Sequence, residues 1–311
     1  MTRTILGRLA LGVVTLWVVI TLTFLFLRVV PGGPFDRERK LPPEIEANVL
    51  AKFHLDEPLA AQYARYLGAI ARGDLGPSFK YLGRSVNDVL RDTFPVSVNL
   101  GLLALAYGTV LGVGAGLAAG MLRGRLPDRA AMLGATLGIS LPAFVVGVLL
   151  ILIFAHVLRI FPPALWEGPA YAVLPALTLG LAPAAYIARL TRSGVLDVMS
   201  RPYIVAARAK GVGEARLALR HVLRNAILPV VTLFGPLFAD LLTGSFVVEY
   251  IFSVPGMGRF YITAVQNRDY PLIMGVTIVY AALVIGANLA VDLSYRWLDP
   301  RVKLGGEEAT P

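Results

Sequence analysis

Long apolar stretches, separated by shorter polar segments, recur along the whole sequence. A helix needs about 20 apolar residues to cross the roughly 30 Å hydrocarbon layer of a membrane. Six stretches meet that requirement, at approximately residues 8–30, 97–122, 131–158, 173–196, 227–249 and 272–296. The pattern predicts an all-α polytopic membrane protein with six transmembrane helices. Pro175 and Pro183 interrupt the fourth stretch, which a membrane helix tolerates when neighbouring groups satisfy the freed carbonyls.

The composition agrees with a membrane protein and excludes several chemistries. The chain is 56% hydrophobic and 16% charged, whereas about a quarter of a soluble domain is charged. The absence of cysteine excludes disulfides and thiol nucleophiles, and the three scattered histidines match no zinc spacing, so we expect no metal site. The net charge of +9 suits basic loops and anionic membrane lipid better than nucleic acid.

The distribution of Arg and Lys predicts the orientation of the helices. Most of these residues fall in segments on the same side as the N-terminus, whereas the two short loops on the opposite side contain only Arg159, Arg259 and Arg268. Basic loops stay in the cytoplasm, so we expect both termini inside. The first apolar run is too long for a cleaved signal peptide and lacks a small-x-small site, which indicates a retained helix.

A long polar segment follows the first helix. Its residues Leu59, Tyr63, Tyr66, Leu67 and Ile70 share one helical face, and GDLGPS at 73–78 supplies turn residues. We expect a folded extracytoplasmic helical region, although a simple cap over the outer mouth is an alternative. The predicted organisation is a first transmembrane helix at 1–30, this region at 31–95, a five-helix core at 96–300 and a cytoplasmic tail at 301–311.

Sequence motifs of common enzymes are missing. The chain contains no GxxxxGK[ST] phosphate loop, no HExxH, no GxSxG and no dense carboxylate cluster. We therefore expect a protein that is not itself an enzyme. Any work that it performs would draw on an ion gradient or on another subunit.

The basic loop at 197–226 is longer than a turn requires. Helices are predicted at 202–210, with Ser200 as a cap, and at 213–226, with Gly211 ending the first helix. The second helix has an apolar stripe and a basic stripe, which contain Ala215, Leu219, Val222 and Ala226, and Arg216, Arg220 and Arg224, respectively. This pattern favours an interfacial helix–Gly–helix element that presents a surface to a partner. The alternative is a basic loop that only fixes the orientation.

The loop resembles that of a known family. A-A-x-x-x-G at 206–211, followed by RHVLRNAILP at 220–229, is similar to the EAA loop of binding-protein-dependent ABC transporter permeases. Val205 stands where the name-giving glutamate would be and the Gly-to-Pro spacing is longer, as is usual in the peptide and nickel branch. Stretches along the whole chain resemble B-type oligopeptide permeases (OppB-like), among them VVPGGPF, LDEPLAAQYARYL, GDLGPSFKY, SVNDVL, PVSVNLG, SLPAFVVG, FSVPGMGRF, NRDYPL and LDPRVK.

The resemblance implies a type I ABC importer permease (MetI-like) fold in a bacterial cytoplasmic (inner) membrane. It further implies alternating access with four kinds of partner: a homologous C-type permease, two ABC ATPase subunits that hold ATP and Mg, an extracytoplasmic peptide-binding protein, and membrane lipid. No cofactor would be bound by this chain. The loop would be the coupling helix that docks on the ATPase, through Ala206, Ala207, Lys210, Gly211, Val212, Gly213, Glu214, Ala215, Arg216 and Leu219.

Polar residues inside the apolar stretches are candidates for a translocation pathway, because such residues are costly in a membrane and are usually functional. They are Asn99, Ser140, Asp240, Thr243, Ser245 and Asn288. Asp240 would attract a peptide ammonium group or, alternatively, pair with a local hydroxyl or a partner subunit. The loop EYIFSVPGMGRF predicts an outer gate, with a plain turn as the alternative, and the gate residues are Phe252, Pro255, Gly256 and Gly258.

Two other functions stay open. The same architecture would serve a dipeptide, nickel or glycan importer. A gradient-driven secondary transporter or channel would need ion ligands or a proton relay within the membrane, for which one clear mid-span carboxylate, Asp240, is thin support.

Overall fold

A computed structural model of the chain describes residues 2–31, 33–35, 51–243 and 246–298. The candidate pathway residue Ser245 and the predicted tail at 301–311 lie outside these ranges, as does the side chain of Thr243.

Helices make up most of the described residues. They are α1 (Thr2–Val29), α2 (Leu59–Ala71), α3 (Val86–Met121), α4 (Leu126–Ser140), α5 (Ala143–Val157), α6 (Pro169–Met199), α7 (Pro202–Ala209), α8 (Glu214–Ala226), α9 (Leu228–Thr243), α10 (Phe246–Ile251), α11 (Met257–Asn267) and α12 (Tyr270–Leu298). The last seven residues of α5 and residues Leu217–Val222 of α8 are π-helical.

Four of these helices are long and apolar enough to cross a membrane by themselves: α1, α3, α6 and α12. Two bent pairs bring the number to as many as six, α4 with α5 and α8 with the first part of α9. The expectation of an all-helical membrane protein is thus confirmed. Helix α6 continues through Pro175 and Pro183, both buried, and α3 begins at Val86, well before the predicted start of the second span.

The predicted third span is not one straight helix. Helices α4 and α5 meet at an angle of 115°. The break lies at Leu141 and Pro142, where Leu141 adopts φ −86° and ψ 130°, an extended conformation. A proline disfavours the helical conformation in the residue before it and has no amide hydrogen to donate. The sequence SLPAF therefore bends the chain here.

The chain divides into two compact units, and α3 and α12 contribute to both. The first unit contains residues 1–97 and 255–283. In it Phe24 of α1 is buried against two tyrosines of α2, with a ring distance of 5.2 Å to Tyr63 and 6.4 Å to Tyr66. The Tyr63 hydroxyl lies 2.6 Å from the Thr21 hydroxyl. Two residues of the apolar face predicted for 59–70, Tyr63 and Tyr66, thus pack on α1, whereas Leu59 in the first turn is exposed.

A buried carboxylate ties the loop at 72–85 to the start of α12 within this first unit. Asp269 is fully buried, accepts a hydrogen bond from the Ser78 hydroxyl and accepts another from the Phe79 amide at 3.1 Å. Ser78 belongs to GDLGPSFKY and Asp269 to NRDYPL, two of the motifs on which the family resemblance rests. The structure therefore joins two distant motifs in one hydrogen-bonded cluster.

The second unit contains residues 98–254 and 284–311 and is built around α6. In the most apolar window of α6, 61% of the residues are buried, compared with 11% for α1. An ion pair attaches α4 to this central helix: Arg192 Nε lies 2.6 Å from Asp128 Oδ1 and Arg192 Nη2 lies 3.0 Å from Oδ2. Asp128 is buried, and its second oxygen also accepts the Gly124 amide at 2.8 Å.

Glycines repeated every four residues let α3 lie directly against α6. They are Gly108, Gly112, Gly116 and Gly120. A Cβ atom on Gly112 would lie 2.6 Å from the Ala184 carbonyl oxygen, and one on Gly116 would lie 2.5 Å from that of Ala188. Such short contacts are not possible, so the spacing of the two backbones requires glycine. Small residues at every fourth position are a common way to pack membrane helices closely.

We predict that Gly116→Ala destabilises the protein, because its methyl group forces α3 away from α6. Overpacking of this kind costs about 1–3 kcal/mol. Gly114→Ala is the matched control, since Gly114 lies on the same helix and a Cβ atom added to it would have nothing within 4 Å. Thermal melting of the detergent-solubilised protein measures both. Equal melting temperatures for the two variants would contradict the close contact.

Candidate coupling surface

Two short helices joined at a glycine form the α7–α8 element, residues 201–226. Helix α7 ends at Ala209, and Gly211 follows with φ +78°, a left-handed conformation that only glycine adopts without cost. The Val212 amide donates to the Ala207 carbonyl at 3.2 Å, which closes the end of α7. Gly213 then precedes the first residue of α8. The predicted helix–Gly–helix pattern is confirmed.

The predicted cap of α7 is wrong. Arg201 precedes the helix and makes no side-chain capping bond. Ser200 instead ends α6, where its hydroxyl donates to the Asp197 carbonyl at 2.6 Å. A turn of only two residues separates α6 from α7. The serine side chain therefore bonds to the end of α6 and not to the start of α7.

The apolar stripe predicted for α8 is also partly wrong. Val222 and Ala226 are buried as expected, but Ala215 is exposed and Leu219 is 63% exposed, and Leu217 takes the third buried position. The cause is the π-helical stretch Leu217–Val222, which has more residues per turn than an α-helix. Residues five apart therefore share a face there, and a spacing based on 3.6 residues per turn assigns the wrong leucine.

A buried apolar cluster fixes the element to α6. Its members are Val195, Val198, Ile204, Leu217, Val222 and Ala226. A close backbone contact adds to it, since a Cβ atom on Gly194 would overlap the carbonyl oxygen of Ala226. Ala207 and Val212 pack on the cluster from outside. The element is thus attached to α6 through apolar contacts from both of its helices.

The opposite side of the element is exposed. Of the ten residues predicted to couple to a partner, all but Ala207 and Val212 are exposed, and those two are half-buried. Val205 is 66% exposed beside them. Arg208 forms two hydrogen bonds with Glu214 across the joint, at 3.0 and 3.1 Å. The structure therefore gathers the predicted residues at one joint, with apolar and charged side chains open to a partner.

The candidate pathway residues are more dispersed. Asp240 of α9 is exposed and lines a cavity of about 140 Å³ beside the break between α4 and α5, together with Gly138, Thr178 and Pro183. Asn99, Ser140 and Asn288 are also exposed, but none of them lines this cavity. The structure thus places Asp240 in a concave site.

The candidate gate residues are mostly interior. Phe252 is buried within the second unit, where its ring would lie 3.2 Å from a Cβ atom on Gly147 and its carbonyl accepts the Leu165 amide at 2.8 Å. In the first unit Gly256 and Gly258 are buried and Pro255 is half-buried. These contacts are typical of fixed packing, which agrees with the alternative interpretation of this loop as a plain turn.

Sequence reasoning missed several residues that hold these sites in place. The ion pair of Asp128 with Arg192 joins residues far apart in sequence, and neither partner stands in a recognisable motif. Asp269 was part of a family motif without an assigned role. The repeat of glycines at every fourth residue of α3 was visible in the sequence and would have identified the helix that packs on α6.

We predict that Gly211→Ala loosens the α7–α8 joint, because alanine at φ +78° costs about 1–2 kcal/mol. Gly213→Ala is the matched control, since Gly213 has φ −63° and nothing within 4 Å of an added Cβ. Hydrogen exchange of the amides at 201–226 should accelerate in the first variant and stay unchanged in the second. Identical exchange in both variants would show that the left-handed joint does not hold the element.

Comparisons with known proteins agree with this architecture. The family model described as "Binding-protein-dependent transport system inner membrane component" matches residues 108–304. A crystal structure of an amino acid ABC transporter with histidines aligns with 68% of this chain and 94% of its own, with a TM-score of 0.51 and 20% identity. At that identity the likeness concerns the fold, and it confirms the expected permease fold.

Relatives align over almost the entire chain. The dipeptide transport system permease protein DppB of Bacillus subtilis (strain 168) is 44% identical over 304 residues, 98% of this chain and 99% of that protein. The oligopeptide transport system permease protein OppB of Escherichia coli (strain K12) is 43% identical over 305 residues, 97% of this chain and all of that protein. The chain belongs to the family of binding-protein-dependent transport system inner membrane components.

Proposed function

We propose that this chain is a permease subunit of an ATP-driven importer, which passes peptides from an external binding protein into the cytoplasm by alternating access. One observation carries the mechanism: the exposed α7–α8 element is joined to α6 by a buried apolar cluster. A partner that pushes on the exposed side would move α6, and with it the core of the second unit. The element would then convert the motion of an ATPase into the motion of membrane helices.

Membership of the family supports the choice of partners, and a chain without a phosphate loop is compatible with an ATPase as a separate subunit. ATP and Mg would be held by two ABC ATPase subunits on the cytoplasmic side, where we place both termini and the α7–α8 element. A homologous C-type permease would form the other half of the pathway. The region at 31–95 would face outside and help to receive the peptide-binding protein.

The peptide cargo rests on the relatives, which are permeases of dipeptide and oligopeptide systems. Motifs such as GDLGPSFKY and SVND favour the oligopeptide branch. Asp240, at its cavity beside the helix break, is the candidate contact for a peptide ammonium group. Nickel and glycan importers of the same architecture are the alternatives for cargo.

We predict that an acidic side chain on the exposed side of the element uncouples transport. Ala206 and Leu219 are both exposed, so Ala206→Glu and Leu219→Glu should leave insertion and folding intact. ATP hydrolysis by the assembled transporter should continue while peptide uptake falls at least about tenfold, because a buried unpaired carboxylate in the contact opposes docking. Ala207→Glu is a poorer test, since Ala207 also packs on the internal cluster.

Arg224→Gln is the control for this pair, because Arg224 is exposed on the same helix but lies in the basic stripe, away from the joint. It should couple as the wild type does. Wild-type ratios of uptake to ATP hydrolysis in both acidic variants would refute this docking surface.

We predict that the chain, extracted from its membrane in mild detergent, brings down an ABC ATPase and a second permease. In membrane vesicles, uptake should require ATP on the cytoplasmic side and persist when a protonophore collapses the proton gradient. Uptake that stops with the protonophore, by a chain that co-purifies with no ATPase, would favour the gradient-driven alternative instead.

A further inference from the structure

A pocket in the first unit is unrelated to the coupling surface. It has a volume of about 320 Å³, at the lower end of the roughly 300–1,000 Å³ range of ligand sites. Helices α1, α2 and α12, residues 52–55 and the loop at 72–79 line it. Its wall is largely aromatic and aliphatic, with Phe24, Phe53, Phe79 and Met274 among the lining residues.

Two polar groups on this wall lack a hydrogen-bond partner. The Nε atom of Arg28 and the hydroxyl of Tyr66 are both enclosed and unpaired. They flank the same ring, because the Arg28 guanidinium lies 3.6 Å from the centre of Phe24 and the Tyr66 ring lies 6.4 Å from it. Leaving an enclosed polar group without a hydrogen-bond partner costs stability. A ligand that accepts hydrogen bonds from both groups would remove that cost.

The rest of the Arg28 side chain is held in place. Its Nη2 donates to Gln62 Oε1 at 3.0 Å, and Gln62 in turn donates to the carbonyls of Glu57, at 2.8 Å, and Leu55, at 3.2 Å. No carboxylate of the described residues forms a salt bridge with Arg28, so its positive charge meets only neutral acceptors. Of its three guanidinium nitrogens, Nε is the one left without a hydrogen-bond partner.

The remaining charges around the pocket also favour an anion. Lys52, Arg65 and Arg72 line it together with Arg28, whereas Asp74 is the one carboxylate among the described lining residues. Arg65 is paired with Glu57 at 2.6 Å, which leaves Arg28, Lys52 and Arg72 against one acid. The ligand should therefore carry a negative charge at one end and apolar surface elsewhere.

The position of the pocket indicates where such a ligand comes from. The apolar window of α1 runs from Leu6 to Val29, 24 residues, and that of α12 starts at Tyr270. At 1.5 Å per residue, α1 is long enough to reach from one side of the hydrocarbon layer to the other. Arg28 and Tyr270 therefore lie where two spans leave the membrane, at the level of lipid headgroups. Arginine and tyrosine side chains are common at that level, because each combines an apolar part with a polar end.

We propose that this pocket binds one membrane amphiphile, an acyl chain with an anionic oxygen group, whose oxygens contact Arg28 and Tyr66 and whose chain lies on the aromatic wall. The same chemistry is offered by an anionic phospholipid of the bilayer and by a free fatty acid. Binding would hold α1 and α2 together, because Arg28 belongs to α1 and Tyr66 to α2.

Native mass spectrometry of the full-length, delipidated protein in detergent tests the proposal. The probes are dioleoyl phosphatidylglycerol, zwitterionic dioleoyl phosphatidylcholine and oleate. We expect one copy of an anionic probe to bind about tenfold more tightly than phosphatidylcholine. Arg28→Gln should remove that preference, and Arg91→Gln, which alters an exposed arginine outside the pocket lining, should keep it.

Tyr66→Phe separates binding from folding. It removes a hydroxyl that has no partner, so the protein without added lipid should melt at or above the wild-type temperature, while affinity for the anionic probe falls about threefold. Tyr63→Phe, which deletes the hydroxyl bonded to Thr21, should lower the melting temperature without changing that affinity.

The probes also identify the source. Binding of phosphatidylglycerol that depends on Arg28 identifies a bilayer phospholipid, and binding of oleate alone with the same dependence identifies a fatty acid. Equal affinity for anionic and zwitterionic lipid, no effect of Arg28→Gln and Tyr66→Phe on affinity for the anionic probes, or no binding of any of the three probes would overturn the proposal.

Discussion

The close contact between α3 and α6 is the constraint on which the second unit depends. Glycines on α3 face the backbone of α6 at distances that exclude any side chain. In a membrane there is little hydrophobic drive to bring helices together, so close packing and polar contacts must do so. The ion pair between Asp128 and Arg192 adds a polar contact to the same central helix from α4. Helix α6 is thereby held from several sides and forms the central axis of the second unit.

The position of the α7–α8 element is set by its contacts with that helix. Its buried cluster includes Val195 and Val198 near the end of α6, so the element has little freedom to move while α6 is fixed. The left-handed joint at Gly211 sets the angle between the two short helices and leaves their outer side exposed. Transmission of an external motion requires a surface that is open to a partner and fixed to a membrane helix. In the proposed importer, that motion would come from the ATPase subunits.

Local sequence signals predicted much of this arrangement. Apolar length predicted the membrane helices, and the Lys-Gly pair at 210–211 predicted the joint. Features that depend on distant partners were not predictable from one sequence, as the contact between Ser78 and Asp269 illustrates, since 191 residues separate them. The π-helical stretch in α8 changed which leucine faces inward, Leu217 instead of Leu219, without any signal in the hydrophobic pattern. The break at Leu141 follows from Pro142, but its angle depends on packing in three dimensions.

Transmission of motion through the α7–α8 element requires that this element and α6 move as one body. The chain has no cysteine, so Tyr186→Cys on α6 and Arg224→Cys on α8, both at exposed positions and the second outside the proposed docking surface, provide two unique sites in this chain for spin labels. Pulsed electron resonance in the assembled transporter would measure the distance between them with and without ATP. We expect this distance to stay constant within about 2 Å, about the size of the helix shifts seen at moving interfaces, while ATP drives transport. A change of several ångströms during the cycle would contradict the proposed coupling, because the element would then move independently of the helix that it is meant to drive.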